Sequence, residues 1–261
     1  MPGTRPGMTT SIMTDNNKPL TDRIALVTGA SRGIGAEIAV LLAQAGAHVV
    51  AVARTSGGLE ELDDRIKAAG GSSTLVPVDM KDSDGIARLA LALNERYGKL
   101  DVMVGNAGVL GPLSPLDHVE RKDFESNIAV NLTANWWLIR TMDALLKRSD
   151  AGRAVFITSS LGWRGKAYVG PYAAAKAALN MLVQTYAAES ANTNVKVNAF
   201  SPGPTRTRMY AGGWPGVDPA TLTPAEDVAK AIVPLCLPSC TESGKVWNYK
   251  DGKFLSFRMP E

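Results

Sequence analysis

The stretch that most constrains the fold runs from Ile24-Ala-Leu-Val27 through Thr28-Gly29-Ala30-Ser31-Arg32-Gly33-Ile34-Gly35 into the run Ala36 to Ala45. Four apolar residues in a row, with no polar alternation, suit a strand covered on both faces, which is the condition of a parallel sheet. A helical pattern follows at once. Between the two, glycines let the backbone turn tightly and approach a pyrophosphate, whose charge then rests on the free N–H groups of a helix N-terminus. The spacing is Gly-x-x-x-Gly-x-Gly, which departs from the Gly-x-Gly-x-x-Gly of other dinucleotide folds. The strand, loop and helix context therefore carries the reading, and it makes Gly29, Ser31, Arg32, Gly33, Ile34 and Gly35 candidate cofactor-binding residues.

Strand-like and helix-like runs alternate through the rest of the chain. A strand is expected over Ala47 to Ala53, a helix over Leu59 to Ala69, and a strand over Ser73 to Val78 closing on Asp79-Met80. Next come a helix from Asp82 to Tyr97, a strand from Leu100 to Val104 and a long helix from Arg121 to Lys147. The C-terminal half offers strands over Ala154 to Thr158, Val195 to Phe200 and Gly244 to Tyr249, the last followed by a tail, and helices opening near Pro171 and Pro224. This pattern predicts a single doubly wound, Rossmann-like α/β domain over residues 21–261. Its sheet is expected to be mostly parallel, of about seven strands, with helices on both faces and the ligand at the strands' C-terminal ends. A length of 261 residues, 45% of them hydrophobic, suits one core of that kind. Residues 1–20 are polar and rich in Pro and Gly; they are expected to be disordered, with Met8 and Met13 as alternative starts.

The chemistry-bearing residues gather between Ser159 and Lys176. Pro171 fits the first turn of a helix, where its missing N–H would have had no partner, and the Ala-rich run behind it has high helix propensity. Tyr172 and Lys176 then share a helix face, ~5–6 Å apart. A neighbouring cation and the positive end of a helix both favour a phenolate, so the tyrosine is expected to be more acidic than the ordinary pKa of ~10. Ser159 stands at the end of the preceding strand and can face the tyrosine across the loop. Tyr168, before the proline, lacks the one-turn spacing to Lys176; Ser160 is a neighbour that spacing on a helix does not exclude. An isolated Tyr-x-x-x-Lys is far more often a solvated helix pair, so the assignment needs company.

Recognition of a ribose takes place at the end of the second strand, where an acidic residue would grip the 2′-hydroxyl of NAD. The chain has Arg54 there. A guanidinium fits a 2′-phosphate with paired hydrogen bonds, and Arg32 can approach from the other side. NADP(H) is the expected cofactor.

Taken together, Ser159, Tyr172 thirteen positions on, Lys176, Thr28 to Gly35 and Asn106-Ala-Gly108 resemble the short-chain dehydrogenase/reductase family, over roughly Thr21 to Gly252. The resemblance implies NADP(H)-dependent carbonyl reduction or alcohol oxidation. It makes Tyr172 the general acid/base, Lys176 the residue that lowers its pKa and holds the nicotinamide ribose, and Ser159 the donor to the substrate oxygen. Asn131, on the long helix, completes a proton relay. The resemblance further implies that Asp79 meets the adenine amino group, with Met80 beside it, and that Asn106, Ala107 and Gly108 border the cofactor. Pro202, Gly203, Thr205 and Thr207 would lie over the nicotinamide, with Thr207 bonding its carboxamide. Gly105 departs from the pattern, since the family often has two asparagines there. A nucleotide-binding scaffold without turnover is the alternative, and it would be favoured had Ser159, Tyr172 or Lys176 been missing.

A net charge of +3, with the basic residues scattered, does not suggest a nucleic-acid or membrane surface. Cys236 and Cys240 read as packed thiols of a reducing compartment, and no apolar run reaches the ~18 residues of a membrane span, so a cytoplasmic protein is expected. No metal cluster is visible, and His48 and His118, the only histidines, adjoin no nucleophile pattern. The long helix carries one apolar stripe of Phe124, Ile128, Leu132 and Trp136 and another of Val130, Ala134, Trp137, Thr141 and Leu145. A surface helix needs one stripe only. The second, with the small face Ala173, Ala174, Ala177 and Ala178, predicts a homodimer or homotetramer. The substrate is expected to be a small carbonyl or alcohol compound, against loop residues Val109, Leu110, Trp163, Tyr168, Met209 and Trp214, under a short lid from Met209 to Thr223.

Overall fold

The computed structural model describes residues 18–257. In chain order its elements are β1 (Ile24–Thr28), α1 (Gly33–Gln44), β2 (His48–Ala53), α2 (Ser56–Ala68), β3 (Ser72–Pro77), α3 (Ser83–Tyr97), β4 (Val102–Gly105), α4 (Arg121–Ile128), α5 (Ala134–Arg148) and β5 (Arg153–Ile157). There follow α6 (Gly170–Glu189), β6 (Lys196–Ser201), β7 (Thr205–Arg206), α7 (Arg208–Gly213), β8 (Thr223–Pro224), α8 (Ala225–Cys236), β9 (Lys245–Asn248) and β10 (Lys253–Ser256). Eight strands form the main sheet in the order β10-β9-β6-β5-β4-β1-β2-β3, and β7 pairs with β8 apart from it.

The apolar runs became inner strands because both of their faces are covered: every residue of β1, β4 and β5 is buried. One face packs against α1, α2 and α8 through Ile38, Leu42, Leu59, Ile66 and Ile232. The other packs against α3, α5 and α6 through Ile86, Leu93, Leu138, Met142, Leu179 and Val183. β1 lies between β2 and β4, with Val27 level with Ala51 on one side and Val104 on the other. The chain runs outward in one direction from β1 and in the other from β4, so the crevice for a ligand opens above the C-terminal ends of these two strands.

The sheet has eight strands rather than about seven, because the expected tail folds back as β10, antiparallel to β9 with Lys253 opposite Asn248. Asp251-Gly252 closes that hairpin, with Gly252 at φ +62°, and Trp247 meets Phe254 edge-on at 5.0 Å. The long helix is also interrupted. Residues Ala129–Thr133 form a π-helical turn between α4 and α5, an element that apolar periodicity cannot signal because it adds one residue without changing composition. Of the segment expected to be disordered, residues 1–17 lie outside the described residues. Leu20, however, is fully buried and donates its N–H to the Ala45 carbonyl at 2.9 Å, so the domain's packing begins before residue 21.

Candidate active site

At the end of β1 the backbone turns through Gly29 at φ +64° and Gly33 at φ +58°. A Cβ on Gly29 would stand 2.9 Å from the Ala107 Cα, and one on Gly35 would collide with the Asn106 amide and the Gly29 carbonyl. These glycines are therefore demanded by the approach of the β4 loop as well as by the turn. Asn106 braces that approach. Its Nδ2 donates to the Thr28 carbonyl at 2.8 Å and the Gly29 carbonyl at 3.3 Å, while Thr28 Oγ1 accepts from the N–H groups of Asn106 and Ala107. No side chain caps α1, whose N-cap residue is the extended Arg32. Its first-turn N–H groups are left for an external acceptor, and the bare glycines leave room for one.

Arg32 and Arg54 flank this cradle, both exposed, and among the described residues neither makes a hydrogen bond or an ion pair. Ser31 packs against Gly58 of α2, where an added Cβ would stand 2.9 Å from the Ser31 Cβ. Ile34 packs partly buried against the core. Asp79 accepts from the Lys81 N–H at 2.9 Å, a turn contact that occupies Oδ1, and the side chain of Met80 is buried in the core. On the far rim, Thr207 caps α7 by accepting from the Tyr210 N–H at 3.2 Å. Its methyl lies 3.4 Å from where a Cβ on Gly33 would be, so the glycine loop faces the start of α7. Gly203 turns at φ +70°, and Thr205 Oγ1 donates to its carbonyl.

Tyr172, Lys176 and Ser159 converge at the end of β5. Pro171 lies in the first turn of α6, as its missing N–H favours, and Tyr172 follows it. Lys176 is 3% exposed and has no carboxylate partner among the described residues; its ammonium lies 5.7 Å from the centre of the Tyr172 ring and donates to the Ile157 carbonyl at 2.8 Å. Burial lowers its pKa to about 8. The expected acidification of the phenol is reversed: burial raises Tyr172 to about 12, and the hydrogen bond with Ser159 offsets only part of that. Desolvation outweighs the cation because Lys176 is spent on a backbone carbonyl and stands off the ring. Ser159 Oγ also accepts from the Leu161 N–H at 3.2 Å, opening the short turn Ser160–Gly162.

Asn131 sits in the π-helical turn, fully buried. Its Nδ2 donates to the Val109 carbonyl at 2.8 Å and to Asn127 Oδ1 at 3.0 Å, and its Oδ1 accepts from the Val109 N–H at 3.2 Å. The amide thus fixes the loop after β4, and both of its protons are engaged. Asn135, one turn on, donates to the Asn131 carbonyl at 2.9 Å. It also accounts for Gly105, since a Cβ there would collide with Asn135 Oδ1 and stand 2.7 Å from the Phe156 ring. Asn127 and Asn135 were not expected from the sequence, and Thr28, though it heads the glycine motif, was given no role there. An asparagine every fourth residue along one helix, at 127, 131 and 135, is the signal that would have found the first two.

The loops beyond β4, β5 and β6 pack against one another and against α7. Leu110 abuts Gly213, Met209 Cε lies 3.8 Å from a Cβ built on Gly108, and the Lys166 ammonium stands 4.4 Å over the Trp214 ring. Tyr168, at φ +70°, and Trp163 are exposed at the rim. Among the described residues no cluster of metal-ligating side chains occurs, and no helix is long and apolar enough to cross a membrane.

The model of the short chain dehydrogenase family matches residues 23–215. The chain is 36% identical over 222 residues to the oxidoreductase YciK of Escherichia coli (strain K12), covering 84% of this chain and 86% of that one. It is 31% identical to the sepiapterin reductase of Chlorobaculum tepidum, covering 80% and 88%. A Shigella flexneri structure described as a short chain dehydrogenase complexed with NADP superposes with a TM-score of 0.82 at 32% identity, covering 90% of this chain and 100% of that one. The glycine cradle, the buried lysine beside a tyrosine on one helix and these likenesses lead to one conclusion: the chain belongs to the short-chain dehydrogenase/reductase family of oxidoreductases.

Proposed function

We propose that this protein interconverts a carbonyl and an alcohol with NADP(H), with Tyr172 as the proton donor and acceptor. The observation that carries the reading is the convergence of Tyr172, Lys176 and Ser159 at the strand edge, beside an α1 with no side-chain cap and two arginines that make no hydrogen bond or ion pair among the described residues. Arg54 and Arg32 would hold the 2′-phosphate, Gly29, Ser31, Gly33, Ile34 and Gly35 the pyrophosphate, and Asp79 the adenine through its remaining oxygen. Asn106, Ala107 and Gly108 would border the ribose side, with Met80 contributing backbone only. Pro202, Gly203, Thr205 and Thr207 would cover the nicotinamide.

NADP(H), when bound, supplies or takes up the hydride. Ser159 orients the substrate oxygen, and Tyr172 gives it a proton in reduction. At neutral pH the raised phenol pKa keeps that proton in place. Lys176 holds positive charge near the oxygen and would also bond the nicotinamide ribose. Asn131, whose amide protons are taken, serves the relay by fixing Val109 and the π-helical turn. The NADP and NADPH complexes among the structural neighbours support the cofactor assignment. We place the enzyme in the cytoplasm, as a homodimer or a homotetramer of dimers formed by α4, α5 and α6.

The test is NADPH oxidation over a panel of ketones, quinones, steroids and acyl thioesters, with NADH in parallel. Turnover of some member with NADPH is expected. A wild-type protein that binds NADH as tightly as NADPH would overturn the cofactor assignment.

A further inference from the structure

Asn180 lies one turn beyond Lys176, on the face of α6 that carries Tyr172, and is 4% exposed. Its Oδ1 accepts a 2.6 Å hydrogen bond from the hydroxyl of Thr158, which is also buried. Its Nδ2 is buried and has no hydrogen-bond partner among the described residues. That nitrogen faces Gly162, where an added Cβ would stand 2.7 Å from it and 3.0 Å from the Lys176 carbonyl. Thr158 and Gly162 bracket the turn that presents the Ser159 hydroxyl. Two successive turns of α6 therefore grip the end of β5, Lys176 at the Ile157 carbonyl and Asn180 at Thr158, one and two turns beyond Tyr172, whose phenol interacts with Ser159.

A leucine at 180, close to asparagine in size, would leave no donor orphaned. What it could not do is accept from Thr158. We propose that Asn180 is a positioning residue for the reaction: through Thr158 it fixes the turn that sets Ser159 against Tyr172, and so the geometry in which both reach the substrate oxygen. The inference rests on the proposed function above. Sub-ångström displacement of a group that orients the substrate falls mainly on the chemical step rather than on cofactor binding.

The experiment compares NADPH-dependent carbonyl reduction by wild type, Asn180→Leu, Thr158→Val and the double variant. Each single variant should lower kcat by about tenfold or more, a loss that misplacement of this kind readily produces. The NADPH KM should stay within about twofold, and the double variant should be no worse than the singles, because both remove one bond. Thr158→Ser keeps the hydroxyl and should stay near wild type; with Thr158→Val it carries the test if Asn180→Leu does not fold. Alcohol oxidation supplies a second readout. Losing the Ser159 contact should move its pH profile to higher pH in Asn180→Leu and Thr158→Val. Tyr186→Phe, also on α6, removes a 3.0 Å bond to Asp143 of α5 and should lower melting temperature and leave the profile in place. Wild-type kcat and profile in Thr158→Val would overturn the inference, as would a loss that Tyr186→Phe reproduces at equal melting temperature. Wild type without turnover, or turnover that survives Tyr172→Phe, overturns the proposed function and this inference with it.

Discussion

At the scale of single residues, two protons set the chemistry. The Tyr172 phenol, raised to about 12, keeps its proton across the physiological range, whereas Lys176, lowered to about 8, is charged only below that value. Carbonyl reduction needs both protons in place. Its rate should be level through neutral pH and fall as pH rises through about 8; a stopped or initial-rate pH profile checks this. The oxidative direction needs the phenol to lose its proton, so it should instead rise toward alkaline pH. Tyr172→Phe deletes one hydroxyl and no contact to a cofactor phosphate, so it should cost 10²–10⁴-fold in turnover, the usual worth of general acid/base catalysis, at little-changed NADPH affinity by calorimetry. Arg54→Ala removes a bond to a charged group worth ~1.5–3 kcal/mol, so NADPH binding should weaken by roughly 10- to 150-fold while NADH binding hardly changes. Arg32 can mask part of this, so Arg32→Ala is measured alone and in combination.

Elements impose their own constraints, and here they meet in pairs. Gly35 is the point where α1 passes the β4 loop, with the Asn106 amide and the Gly29 carbonyl against it. Gly35→Ala should destabilise the protein by ~1–3 kcal/mol, the range for an overpacked site, and weaken NADPH binding, both readable from melting curves with and without cofactor. β4 and α5 meet at Gly105 and Asn135 in the same way. Placing asparagine at 105 against the native Asn135 should lower stability by a similar amount. Asn135→Ala in the same chain should recover part of it, because it removes the opposing atom; non-additive melting temperatures in the double-mutant cycle are the check.

For the whole molecule, the outer side of α4, α5 and α6 carries exposed apolar side chains. Phe124 and Trp136 are 42% and 41% exposed and Met181 61%, and the Ala174 and Ala177 side of α6 is likewise exposed, whereas Val130, Ala134 and Leu145 are buried in the core. The two stripes thus divide, one inward and one outward. Light scattering should show a dimer or tetramer at micromolar concentration, and Ala177→Glu with Trp136→Glu should shift it toward monomer. An oligomer untouched by those charges would place the interface elsewhere.

The glycine loop, the alternation of strands and helices, and the Ser159, Tyr172, Lys176 constellation were legible in the sequence because each depends on local rules: positive φ at glycine, covered strands, one-turn spacing on a helix. Tertiary structure decided what depends on neighbours distant in the chain. Burial, rather than the adjacent cation, sets the Tyr172 proton; Asn135 explains Gly105 across 30 positions; and Asn131 turns out to be engaged with Val109. The π-helical turn and β10 belong to the same class. A shifted pKa is set by how much water the surrounding elements exclude and by which carbonyls take up the nearby donors, and neither quantity exists until the sheet and its two helical layers have closed.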